Sequence, residues 1–413
     1  MKSEQFDVVI IGAGPSGAAA GAMLSDLGWR VLILEKQHFP RFSIGESLLP
    51  QCMAFLKAAG LEQKVHDSAD ILGFQFKNGA AFQKNDKYTE FDFTRKFSSG
   101  PSTTYQVKRA SFDKVLADGA QDKGADIRYG HQVKTVNVDG EKPILTVLDE
   151  SDQSYQIVGR YLLDASGFAR VLPRLLNLET PSNFPVRSAF FAHFNDKIDD
   201  ADFDRNKILI TVHPVYKDIW FWTIPFSDGT SSIGVVGKPE QLSKGGLSQE
   251  QLLLDFISQA PNLKALLKNA TLINEVQSIT GYSANVTSLI GNNYALLGNA
   301  GEFLDPVFSS GVTIALCSAV LISPEIDKFL KGEAVDFNQS FVKPLSEGVK
   351  CFKTFVTSWY EGGFQDVIFC DQQTDKIERM LSSILAGYAW DKENPYVAQS
   401  ERRFSALVDV CRS

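Results

Sequence analysis

The sequence predicts an α/β protein with a dinucleotide-binding, Rossmann-like domain, an inserted mainly β domain and a C-terminal helical region. Three observations carry this. An unbroken apolar run at 6–11 (FDVVII) ends in Gly12-Ala13-Gly14-Pro15-Ser16-Gly17, and a second apolar run, VLILE, follows at 31–35. Strand-like segments dominate residues 181–280. Beyond residue 331, apolar residues recur at three-to-four spacing, the period of a helix face.

The run at 6–11 does not alternate, so it predicts a strand buried on both faces. Residues 15–27 are small and apolar at helical spacing, and 31–35 is a second buried strand. Together they make a βαβ unit at the N-terminus. From about 70 to 105 the chain turns aromatic and polar, and the alternation in ILGFQFKNGAAF predicts strands. Residues 109–123 read as a helix and 160–164 as a short strand. Four strands are predicted in SAFFAHF, KILITV, IWFWTIPF and SSIGVVG, with one helical stretch at 248–268. A strand at 294–298 runs into a helix near 311–323. In the tail, Phe341, Leu345, Val349, Phe352, Phe355, Val356 and Trp359 form one apolar stripe, and Ile377, Leu381, Ile384 and Tyr388 form another. These stripes are read as core or interface packing. The order implies a discontinuous cofactor domain (1–75, 101–180 and 281–330). A β-sheet substrate domain would take 76–100 and 181–280, and the helical region 331–413.

Composition narrows the function classes. Lys and Arg number 41 against 49 Asp and Glu, a net charge of −8, which argues against nucleic acid as the main partner. No apolar run reaches the roughly 18 residues of a membrane span. The N-terminus lacks a basic n-region and cleavage site. The five cysteines form no CxxC, and the five histidines show no paired spacing, so neither a disulfide framework nor a metal centre is expected. These features point to a cytoplasmic protein.

The glycine loop lies between a strand and a helix, as a pyrophosphate cradle requires. Gly12 allows the tight turn, Gly14 the approach of the backbone to phosphate, and Gly17 close packing of helix on strand. Pro15 and Ser16 open the helix, whose N-terminus favours negative charge. Glu35, at the end of the second strand, is placed to accept hydrogen bonds from an adenosine ribose, with Lys36 beside it. Further along, Arg109-x-x-x-Asp113 opens a helix, Asp164-Ala165-Ser166-Gly167 ends a strand, and Gly298-Asn299-Ala300-Gly301 follows another.

With these segments the chain resembles the FAD-binding fold of aromatic hydroxylases, geranylgeranyl reductases and flavin-dependent halogenases. The resemblance implies FAD, with Gly298, Asn299 and Ala300 placing its ribityl and pyrophosphate and Arg109 reaching the cofactor or the protein around it. Asn299 stands where that family usually has Asp. Within it, Trp220-Phe221-Trp222-Thr223-Ile224-Pro225 matches the W-x-W-x-I-P motif of the halogenases. Phe303-Leu304-Asp305-Pro306-Val307-Phe308-Ser309-Ser310-Gly311 matches their F-x-x-P-x-x-S-x-G, and Gly45-Glu46-Ser47 their G-E-S-x-x-P segment near the flavin. Trp220 and Trp222 project to one strand face. The resemblance puts these rings where they keep organic substrate from the flavin peroxide. Ser309, Ser310 and Gly311 would expose backbone N–H groups to a halide or a reduced flavin. Lys77 occupies the place of the family's catalytic lysine. Phe308 stands where tryptophan-specific halogenases carry Glu, which points to the phenol and pyrrole branch.

The implied reaction is two-component. A separate flavin reductase supplies reduced FAD, oxygen gives a flavin C4a-hydroperoxide, and halide takes its distal oxygen. Hypohalous acid then passes to Lys77 and on to an electron-rich aromatic ring, free or tethered to a carrier protein. The chain also fits a non-halogenating FAD monooxygenase or dehydrogenase, and more remotely a non-catalytic flavin-binding protein. Product mass with halide present separates the three.

Overall fold

The structure is a computed structural model describing residues 3–243, 245–371 and 374–413. β1 (Ser3–Ile11), α1 (Pro15–Asp26) and β2 (Val31–Glu35) form the expected N-terminal unit. The short β3 (Gln75–Lys77), the hairpin β4 (Gly79–Lys84) and β5 (Lys87–Asp92), and β6 (Thr104–Gln106) follow. α2 (Arg109–Asp122) leads to β7 (Asp126–Tyr129), β8 (Gln132–Asn137), β9 (Ile144–Leu148) and β10 (Ser154–Asp164). The middle of the chain supplies β11 (Ser188–Asn195), β12 (Lys207–Val212), β13 (Trp220–Pro225), β14 (Thr230–Gly237) and α3 (Gln249–Ser258). Then come β15 (Tyr294–Leu296), α4 (Ser310–Leu330), α5 (Lys343–Glu361), α6 (Asp375–Leu385) and α7 (Ser400–Arg412).

Two sheets organise these elements. In the first the order is β15-β10-β1-β2-β7, every pair parallel, with β8 and β9 attached antiparallel at β10. All five residues of β2 are buried, as their continuous apolar run requires. In the second the order is β11-β14-β13-β12-β4-β5, antiparallel except where β12 lies parallel to β4. That pairing ties residues 79–84 to 207–212. β3 and β6 form a separate two-stranded ribbon.

Several boundaries differ from the sequence reading. The stretch 248–268 is broken: α3 ends at Ser258 and a short helix starts at Pro261, after an extended Ala260. Proline has no N–H to give and pushes the residue before it out of the helical region. The strand expected at 160–164 starts at Ser154. β7, β8, β9 and α7 were not anticipated. β8 reads QVKTVN, polar on its open face, so its apolar signal is weak.

The largest buried cluster joins Val8 and Ile33 of the first sheet, Phe82 and Trp222 of the second, and Phe352 and Trp359 of α5. Trp359 is fully buried, 6.1 Å from the Phe82 ring and 6.0 Å from Phe308. The tail stripes are therefore core packing, as expected. Among the described residues no helix is long and apolar enough to cross a membrane, and no cluster of His, Cys, Asp or Glu could hold a metal.

Candidate flavin site

The glycine loop is built as its spacing requires. Gly12 sits at φ +98°, and a Cβ there would stand 2.7 Å from the Ala165 carbonyl oxygen. A Cβ at Gly17 would meet the Gly12 oxygen at 2.0 Å. Gly14 is different. The nearest atom to a Cβ there is Arg41 Nη2 at 3.6 Å, so the protein itself does not demand glycine. The space is left for something that is not protein, which fits a pyrophosphate held at close range. α1 begins at Pro15 with no side-chain cap and no acidic residue in its first turn, so its free N–H groups face the same space. A second uncapped helix start converges from the other side: α4 opens at Ser310 after Ser309, which has φ +56°.

Between them lies a cavity of about 590 Å³, within the range of ligand pockets. Of the expected cofactor residues, Gly12, Gly14, Pro15, Ser16, Glu35, Lys36, Glu46, Ser47, Arg109, Asn299, Pro306 and Gly311 line it. So do Trp220, Trp222 and Ser309. The remaining expected residues stand behind this wall. Gly17 packs α1 onto β1, and Gly298, with Ala300 in the same turn, seats that turn against Ala315 of α4. Ser310 is buried in the first turn of α4. The Asp164 carboxylate is fully buried and accepts the N–H groups of Ser166 (2.9 Å) and Leu172 (2.6 Å). It shapes the turn after β10. Asp305 is also buried behind the wall.

Charge is tightly organised around the glycine loop and Glu35. Glu35 accepts the N–H of Ala13 at 2.9 Å and of Gln37 at 3.0 Å, so it braces the glycine loop as well as facing the cavity. Arg109 reaches the protein around the site. Its Nε and Nη2 fork onto Asp113 at 2.7 and 2.9 Å, and its Nη1 donates to the Ile44 carbonyl at 2.8 Å. That contact fixes the approach to Gly45-Glu46-Ser47. Arg41, which the sequence reading missed, donates to Asp113 at 3.2 Å and lies beside Gly14. Its position in Pro40-Arg41-Phe42, just before Gly45-Glu46-Ser47, is the signal that would have found it.

The opposite wall is aromatic. Trp220 and Trp222 share one face of β13, with ring centroids 5.9 Å apart. Trp222 Nε1 donates to Ser232 at 3.1 Å, and the ring is tilted against Phe191 at 5.8 Å. Phe42 stacks on Phe191 at 6.1 Å. Glu46 is buried. One of its oxygens meets His193 Nε2 at 2.8 Å, and Oε2 has no hydrogen-bond partner among the described residues. His193 was the second residue missed, because a lone histidine in an apolar strand carries no local signal.

Lys77 is not on the cavity wall. It is 1% exposed, at the end of β3, and its Nζ donates to Ser47 Oγ at 2.7 Å and to the Leu48 carbonyl at 2.8 Å. Ser47 does line the cavity, so one hydroxyl separates the amine from it. Burial pulls the Lys77 ammonium down to about 7, partly offset by nearby Cys52. A buried near-neutral amine is rare and is what amine chemistry at ordinary pH needs.

A glycine-lined cavity between two helix starts, with a buried acid bracing the loop, fits an FAD-dependent oxidoreductase. The chain belongs to the FAD binding domain family, which matches residues 5–336. It is similar to flavin-dependent halogenases. A 1H-pyrrole-2-carbonyl-[peptidyl-carrier protein] chlorinase from Pseudomonas fluorescens is 27% identical, with 99% of this chain and 95% of that protein covered. The flavin-dependent brominase Bmp2 superposes with a TM-score of 0.84 at 25% identity, covering 98% and 99% of the two chains. A flavoprotein/dehydrogenase from Cytophaga hutchinsonii superposes with a TM-score of 0.95 at 38% identity over 99% of both chains.

Proposed function

We propose that this protein is a two-component flavin-dependent halogenase acting on an electron-rich aromatic ring, phenol- or pyrrole-like, free or carrier-tethered. The observation that carries this reading is Lys77, a buried amine near neutrality, one hydroxyl away from a cavity walled by Trp220 and Trp222. Bound FAD, reduced by a partner reductase, would supply the oxygen activation that turns halide into an electrophile. Gly14, the start of α1, Arg41 and Asn299 would hold the cofactor. Trp220 and Trp222 would keep organic substrate from its ring, with Phe191 packed against Trp222. The N–H groups of Ser310 and Gly311 would attract halide or the reduced cofactor; that of Ser309, expected to join them, is already donated to the Pro306 carbonyl at 2.9 Å. With its Nζ turned from Ser47 to the cavity, Lys77 would hydrogen-bond hypohalous acid as the ammonium, or capture it as a haloamine with loss of water, which then gives the halogen to the ring and takes the displaced ring proton. The similarity to a chlorinase and a brominase of carrier-bound 1H-pyrrole-2-carbonyl supports the substrate class.

A second reading, a flavin dehydrogenase or monooxygenase that handles no halide, is favoured by two observations. Lys77 lies off the cavity wall, and the Cytophaga flavoprotein/dehydrogenase superposes closely. A single-turnover assay with reduced FAD, oxygen, bromide and a phenol or pyrrole decides between them by product mass. Bromine replacing hydrogen supports the halogenase. An added oxygen, or no product from a panel of both ring types, overturns it.

A further inference from the structure

We propose that Tyr360, in the last turn of α5, is a positioning residue of the cavity. It holds the Trp220 indole and the Asp305 carboxylate in one hydrogen-bonded chain, and so joins the C-terminal region to the flavin site. The role for Trp220 rests on the halogenase reading above; the chain itself does not.

A phenol has one proton to donate. Tyr360 donates it to Asp305 Oδ2 at 2.9 Å, which leaves a lone pair to accept Trp220 Nε1–H at 3.0 Å. Tyr282 donates to the same Asp305 oxygen at 3.3 Å, and the Val307 N–H to the other at 3.0 Å. The Arg187 guanidinium lies 3.3 Å from the centre of the Tyr360 ring. Trp220 is 1% and Asp305 2% exposed, so water does not stand in for these partners. Trp220 and Pro306, the neighbour of Asp305, both line the cavity. One hydroxyl from the tail therefore fixes two parts of the cavity wall from behind. A packing role would need only the ring. The hydroxyl is needed because, without it, a buried indole N–H and a carboxylate oxygen each lose a partner.

The charges facing Asp305 make the chain measurable. Burial pushes its carboxyl up to about 6, opposed by the Val307 N–H, Tyr360, Arg187 and Tyr282. The chain has five tryptophans, hence five indole N–H signals in a ¹⁵N-tryptophan-labelled sample, and Trp220→Phe identifies the relevant one. In the unaltered protein that signal should move as pH passes through the Asp305 titration, relayed by Tyr360. In Tyr360→Phe, which keeps the ring over Arg187, it should shift and stop following pH. Asp305→Asn should also abolish the movement while leaving the Trp220–Tyr360 bond in place. In the single-turnover assay, Tyr360→Phe should lower halogenated product per flavin oxidised about fivefold, with FAD affinity changed by less than about twofold. A Trp220 signal that still titrates in Tyr360→Phe overturns the chain. An unchanged product ratio overturns the positioning role. If the unaltered protein halogenates nothing, the halogenase reading fails, and the indole signal alone decides on Tyr360.

Discussion

At the scale of single residues, the two glycines of the loop make opposite demands. A Cβ at Gly14 meets no protein atom closer than Arg41, at 3.6 Å, so Gly14→Val should fold with a melting temperature near that of the parent and lose FAD. Flavin fluorescence quenching checks this, and stoichiometric flavin in the variant would remove Gly14 from the cradle. Gly17→Ala drives a Cβ into the Gly12 backbone and should instead lower stability. Lys77 makes a pH prediction. Its folded pKa, about 7, lies below the unfolded value of about 10.4, so the unfolded chain binds the extra proton between these limits and stability rises with pH across them. Lys77→Met removes that dependence. Its stability relative to the parent should be greatest at pH 6–7 and fall by a few kcal/mol towards pH 10, read from urea denaturation at the two ends. The glycine and tryptophan positions were legible because their chemistry is local in sequence. The burial of Lys77 was not, since it depends on β3 pairing with β6 and on Ser47, thirty residues away.

At the scale of elements, the first turn of α2 anchors the loop before Ser47. Arg109→Met would leave Asp113, fully buried, with Arg41 as its remaining charged partner. Breaking such a pair costs about 3–5 kcal/mol. The variant should melt lower and bind FAD more weakly, and Asp113→Asn on top of it should recover part of the stability. Coincident denaturation curves for Arg109→Met and the parent would show that the pair is dispensable. The sequence reading found most elements where apolar periodicity is strong, as in β1, β2, β13 and α5. It failed where that signal is diluted. β8 has an open polar face, β9 is only five residues long, and the single helix read at 248–268 overlooked Pro261 as a break.

At the scale of the molecule, the tail is part of the core. Removing residues 337–413 would uncover Phe82 and Phe308, which pack on Trp359. The truncated chain should be insoluble or lack a cooperative thermal transition, which sedimentation and calorimetry would establish. A soluble, cooperatively folding 1–336 fragment would show that the helical region is an independent unit. The alternation of strand-rich and helix-rich stretches was visible in the sequence. The parallel joining of β4 to β12 was not, because no local pattern names a strand's distant partner.

The pairing of β1 with β10 also sets a timetable for synthesis. β1 is made first, yet β10 is translated about 150 residues later, which at the usual pace of a ribosome is a wait of roughly 10–30 s. Tyr360 and Trp359 arrive later still. For that interval the apolar half of β1 (Val8–Ile11) has one open edge, a hazard for association with other nascent chains. The demand for chaperone help during translation should therefore be set by β1, and slowing translation between residues 35 and 154 should lower the soluble yield.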